Sequence, residues 1–147
     1  MSAWRRNALA LFPTQADYLA RPDATLGPLF LALTHEAAEA HARYAADDAD
    51  ADAALMLRRV HGFAEWCLHH EALWDAAGIG FYEGLFAVVP WEQIAPWLSP
   101  FTVSEIRKTY ALGLNQQGWS KLERLLDERS DHAYRTHVFA TGEIERL

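Results

Sequence analysis

VHGFAEWCLHHEALWDAAGIGFYEGLFAVVPWEQIAPW, residues 60–97, is the stretch on which the fold turns. Trp66, Trp74, Trp91 and Trp97 lie in it, with Phe63, Phe81, Tyr82 and Phe86 between them. Aromatic side chains bury more apolar area than any others and dominate core energetics. The hydrophobic centre is therefore expected here. Its second half, from Asp75 as N-cap to Val89 before Pro90, reads as a helix that is apolar nearly all the way round. Trp74, Phe81, Leu85 and Val88 share one side, and Ile79, Tyr82 and Phe86 flank it. Ala76, Gly80 and Ala87 make a third side, small enough for another helix to come close. A helix apolar on every face belongs in the middle of a domain. The expectation is an all-α fold: one compact domain over residues 1–147, with about five to seven helices around a central apolar helix 75–89. Trp74, Phe81, Leu85 and Phe63 should be nearly inaccessible.

Working outward, Thr14 after Pro13 looks like an N-cap, with Asp17 in the first turn and Pro22 ending a short helix. A longer helix runs from about Thr25 to Ala46 on the stripe Phe30, Leu33, Ala37, Ala40 and Tyr44. The acidic run Asp47 to Asp52 reads as a loop entering the next helix, because Asp favours caps and turns. That helix, about Ala53 to His70, turns Met56, Val60, Phe63 and Cys67 inward. Beyond it, Pro90, Pro96 and Pro100 chop the chain into a corner with a short helical turn, Glu92 to Ala95. Thr102-Val-Ser-Glu105 is a capping box opening a helix that carries Val103, Ile106 and Tyr110, and Ser120-Lys-Leu-Glu123 repeats it for a last helix with Leu122, Leu125 and Leu126. An irregular tail is expected after Ser130.

Composition narrows the function. Residues 1–100 hold 6 Lys and Arg against 13 Asp and Glu, so they carry the whole net charge of -7. An acidic surface repels phosphate backbones, which argues against nucleic acid and for a basic protein partner. The apolar run Ala8 to Phe12 is too short to span a membrane, no cleavage site follows it, and Cys67 is the only cysteine. A cytoplasmic chain, monomeric or weakly dimeric and free of membranes, is expected. Cys67 reads as a buried thiol.

Candidate chemistry is sparse. His61, Glu65 and His69 recur at every fourth position, on the side opposite Met56, Val60, Phe63 and Cys67, so they are expected to face solvent or a partner. His35-Glu36 fails as a metalloprotease motif because Glu39 stands where the second histidine is needed. His41 falls on the apolar side of its helix and is expected in the core. Glu83, inside the expected central helix, would be a buried carboxylate needing a partner such as Arg58, Arg59 or Arg107. A small hydrolase-like or metal-dependent enzyme using Glu83 with nearby histidines is the alternative reading. No phosphate-cradling glycine loop and no Gly-x-Ser-x-Gly elbow is present, so neither a catalytic set nor a cofactor is expected. The candidate partner-binding residues are Glu36, Glu39, Asp47, Asp48, Asp50 and Asp52, with His35 beside them.

Phe63-Ala-Glu-Trp-Cys67, Phe81-Tyr-Glu-Gly-Leu-Phe86 and Pro96-Trp-Leu-Ser-Pro100 resemble a family of small bacterial helical proteins without assigned activity. Its pattern runs FAEWC, then FYEHLF, then a tryptophan-rich proline corner. The likeness covers roughly Leu55 to Pro100, and Gly84 stands where the pattern has histidine. In size, charge and helical class the chain is also similar to immunity proteins of toxin–immunity systems, contact-dependent growth inhibition included. This second likeness implies a non-enzymatic binding module that neutralises a cognate, basic, nuclease-type toxin domain.

Overall fold

The computed structural model describes residues 1–110, together with Gly118, Ser120, Lys121, Glu123, Arg124 and Asp127. The helices are α1 (Ala3–Leu11), α2 (Ala16–Leu19), α3 (Leu26–Ala46), α4 (Ala51–Leu68), α5 (Gly84–Val88), α6 (Trp91–Ile94) and α7 (Pro100–Tyr110). A π-helix, Ala76–Glu83, runs directly into α5. Short 3-10 turns precede α2 and follow α4 and α6. No strand occurs among the described residues, and no helix there is long and apolar enough to cross a membrane. The chain is an all-α domain, as its periodicity predicts. Ser120, Lys121, Glu123, Arg124 and Asp127 of the expected last helix are helical; Leu122, Leu125, Leu126 and the tail lie outside the described residues.

The two long helices, α3 and α4, pack against each other across a turn that the acidic run builds. Asp47 accepts a hydrogen bond from the Ala49 N–H at 3.0 Å, and Asp50 caps α4 by accepting from the Ala53 N–H at 3.0 Å. Four phenylalanines then tie the layers together. Phe63 of α4 meets Phe12 edge-on and Phe30 of α3, each at 5.5 Å, and Phe30 meets Phe81 of the π-helix at 5.6 Å. All four are essentially inaccessible.

The centre of the fold is not where the apolar pattern places it. Residues 76–88 form a surface element with one face inward. Ala77, Gly78, Phe81, Tyr82, Leu85 and Phe86 are buried, whereas Ile79 is 48% and Val88 65% exposed, and Gly80, Glu83 and Ala87 are exposed too. Trp74 is only half-buried. Close approach uses Gly84 instead of the Ala76–Gly80–Ala87 side: a Cβ there would stand 3.3 Å from Thr34 Cγ2 of α3. The buried middle belongs to α4, in which every residue from Val60 to Leu68 is buried. Its supposedly solvent-facing side is covered by the proline corner and α7, which pack over it.

The start of α7 also differs from expectation. Thr102 is not the cap; Ser99 is, with Pro100 at the first helical position and the Thr102 N–H donating to Ser99 Oγ at 3.0 Å. Proline is favoured there because its missing N–H would have had no partner. Near the N-terminus, Thr14 likewise caps nothing and instead donates to Glu36 of α3.

Emptying the Phe81 site should be severe. Phe81→Ala is expected to cost about 3–5 kcal/mol in urea unfolding, the range for removing a large buried aromatic. Val88→Ala, on the exposed side of the same segment, should change stability by less than about 0.5 kcal/mol.

Candidate functional site

Burial of α4 on every side takes two polar side chains into the core, and both find partners there. The first is His61. Its Nε2 lies 3.0 Å from His41 Nε2 of α3, and its Nδ1 lies 3.2 Å from Tyr82 Oη of the π-helix. One proton must sit between each pair, so two orders are open. Tyr82 donates to His61, which donates to His41, or every bond runs the other way. Trp97 stacks on the His61 ring at 6.1 Å and 15°, and meets His41 edge-on. Burial pushes His41 down from 6.5 to about 4, and pushes His61 well below 6.5 with help from the neighbouring His41. Both rings are neutral at pH 7.

Glu65 is the second. Its carboxylate accepts a short hydrogen bond from Ser99 Oγ, and Ser99 Oγ is also 3.0 Å from Thr102 Oγ1. Since a serine hydroxyl carries one proton, which goes to Glu65, Thr102 must be the donor in the second contact. One side chain thus caps α7 and satisfies a carboxylate that is 3% exposed. Among the described residues Glu65, not Glu83, is the buried acid. Glu83 is exposed, and Arg107 pairs with Glu123 at 2.7 Å. Cys67 is a buried free thiol whose pKa burial raises far above its ordinary value.

His69, last of the every-fourth-residue series, does reach the surface, and it opens onto a cleft of about 520 Å3 between the end of α4 and α7. Its ring lies flat on Phe101 at 3.6 Å and 6°. Trp74 forms another wall and donates its indole N–H to Glu105 Oε2 at 2.7 Å, while Lys108 Nζ donates to Glu105 Oε1 at 2.8 Å. Glu71 stands exposed at the rim. Desolvation, chiefly, lowers the His69 pKa, with His70 adding to the effect and Glu105 opposing it. A second hollow of about 590 Å3 lies beside Val88 and Trp91, where Lys121 sits over the Trp91 ring and pairs with Glu92 at 2.8 Å. Among the described residues, no three His, Cys, Asp or Glu side chains are placed to hold a metal ion.

The six acidic candidates divide by the work they already do. Glu36 is half-buried and accepts from Thr14 at 3.1 Å and Gln15 at 3.3 Å, tying the chain before α2 to α3. Asp47 shapes the turn, and Asp50 both caps α4 and holds Arg43 at 3.0 and 3.1 Å. Glu39, Asp48 and Asp52 are exposed, and their side chains make no hydrogen bond or ion pair among the described residues; Asp52 lies in the first turn of α4. Sequence reasoning missed the aromatic cleft altogether. Its only signal was the clustering of Trp74, His69 and Phe101, which looks like core.

The neutral histidines make stability depend on pH. Below pH 6.5 the unfolded chain binds protons that the folded one refuses, so stability is complete above 6.5 and is lost as pH falls toward about 4. His41 alone accounts for a loss on the order of 3 kcal/mol across that window, taken from its fall of 6.5 to about 4. Urea unfolding at pH 7.5 and 4.5 should show this decline, with a shallower slope in His41→Gln. Equal stability at the two pH values would contradict it.

Compared with known protein families, with curated proteins and with solved structures, the chain matches none.

Proposed function

We propose that this chain is a protein-binding module whose partner is basic. In the finer form of this reading it is a cytoplasmic immunity protein that docks on, and neutralises, a cognate toxin domain. The observation that carries the proposal is the surplus of exposed carboxylates at the α3–α4 turn. Asp47, Asp50 and Glu36 are spent on internal bonds, yet Glu39, Asp48 and Asp52 stand in solvent with no cation beside them among the described residues, within the first 100 residues, where acids outnumber bases 13 to 6. Asp52, in the first turn of α4, complements the helix dipole, whereas the exposed charges of Glu39 and Asp48 do little for the fold and cost some self-repulsion. Such charge steers a partner of opposite sign, and its effect lies chiefly in the association rate and in specificity.

The test is a triple variant, Glu39→Gln, Asp48→Asn and Asp52→Asn. Thermal stability should be nearly unchanged, since solvated charges of this kind contribute little. Association with a basic toxin-like domain encoded beside this chain should slow by about tenfold or more at low salt, and the difference should shrink as salt rises. Co-expression supplies the cellular readout: rescue of growth by the native chain and weaker rescue by the variant. No complex and no rescue by the native chain would overturn the proposal.

A further inference from the structure

The cleft between α4 and α7 gathers aromatic faces, carboxylates and a helix C-terminus in one place. Its walls are aromatic, with the indole of Trp74 half-buried and the His69 ring stacked on Phe101 at 3.6 Å. Two carboxylates flank it, Glu105 inside and Glu71 at the exposed rim. The C-terminal end of α4 also opens here, since its last residue, Leu68, and its C-cap, His69, both line the cleft. A helix C-terminus carries about half a negative charge that favours cations, and the last turn of α4 holds no basic residue of its own. Carboxylates, aromatic faces and a helix C-terminus all favour the same sign.

We propose that this cleft receives the guanidinium of an arginine side chain presented by a basic protein partner. The proposal rests on the reading of the chain as a receptor for such a partner, and it names the contact. Arginine fits better than lysine because its planar group stacks on aromatic faces while its N–H fork reaches a carboxylate, whereas an ammonium is a strongly hydrated point charge. The chain itself shows that the site takes a cation: Lys108, 63% exposed, lays its ammonium 2.8 Å from Glu105. This internal cation comes from α7 itself, three residues beyond Glu105, and its side chain is exposed. It competes with the incoming arginine for the same negative potential. Among the described residues that line the cleft, Glu71 and Glu105 bring two carboxylates against the single ammonium of Lys108.

The experiment titrates the full chain with N-acetyl-arginine amide and follows the Trp74 indole N–H by NMR, assigned through Trp74→Phe. A saturable shift at millimolar ligand is expected, with N-acetyl-citrulline amide, the neutral isostere, at least about tenfold weaker. Glu71→Gln should weaken binding by about fivefold, and Lys108→Met should tighten it by a similar factor. Both substitutions fall on exposed side chains, so the fold is retained. Absence of a saturable shift, equal binding of citrulline amide, or weaker binding in Lys108→Met would overturn the proposal. Tighter binding of free arginine than of the blocked residue would assign the cleft to a small molecule and overturn the protein source. None of these titrations involves a protein partner, so an empty cleft and a failed partner are separate results.

Discussion

The complete burial of α4 from Val60 to Leu68 is the constraint that the rest of the structure answers to. A helix covered on all sides cannot leave a polar side chain without a partner, because an unsatisfied buried group costs more than a hydrogen bond contributes. His61 and Glu65 sit on that helix one turn apart, and each must be met by another element. His61 is met by α3 through His41 and by the π-helix through Tyr82, whereas Glu65 is met by the start of α7 through Ser99. Four elements are thereby fixed in register by polar groups and not only by apolar packing.

This division of labour explains the placement of the aromatics. The phenylalanines Phe12, Phe30, Phe63 and Phe81 fill space between layers and need no geometry beyond close contact. Trp97 does something different. It roofs both histidine rings, and that roof keeps water from the His41–His61–Tyr82 chain. Exclusion of water is what holds the rings neutral, so the proline corner that carries Trp97 bears on the ionisation of a residue on α3 and a residue on α4.

Much of the fold was legible in the sequence, and the errors share one cause. The helical class, the stripe of α3 with His41 on its inner side, and the loop character of Asp47 to Asp50 follow from local periodicity and capping chemistry, which act within a few residues, although α4 begins at Ala51 and takes in Asp52. Which helix is central does not, because it depends on what covers each face. Residues 76–88 are the more apolar, yet α4 is the more buried, since its polar side is roofed by residues 34 positions away, as the Ser99–Glu65 bond shows. A period reveals that a helix has two sides; it does not reveal how many are covered. The Ser-Pro step at Ser99 and Pro100 was the readable sign of where α7 begins, and it was overshadowed by the capping box three residues later. The surface site was half legible. Acidity located the α3–α4 turn, but only the contacts of Glu36, Asp47 and Asp50 separate carboxylates that hold structure from those that are spare. The cleft depends on Trp74 meeting Glu105, 31 residues on, which no local pattern encodes.

The π-helix at Ala76–Glu83 bears on how this chain tolerates changes of length. A π turn holds more residues than an α turn and arises as a local surplus within a helix. Because that segment lies at the surface with Ile79, Gly80 and Glu83 in solvent, a homologue lacking one residue there can revert to α geometry and lose only an exposed position. An insertion in α4 has no such outlet. Each added residue rotates the remainder of the helix by about 100°, swinging Glu65 away from Ser99 or His61 away from His41. Alignments of distant relatives should therefore place their gaps between Ala76 and Glu83 and run unbroken through Val60 to Leu68.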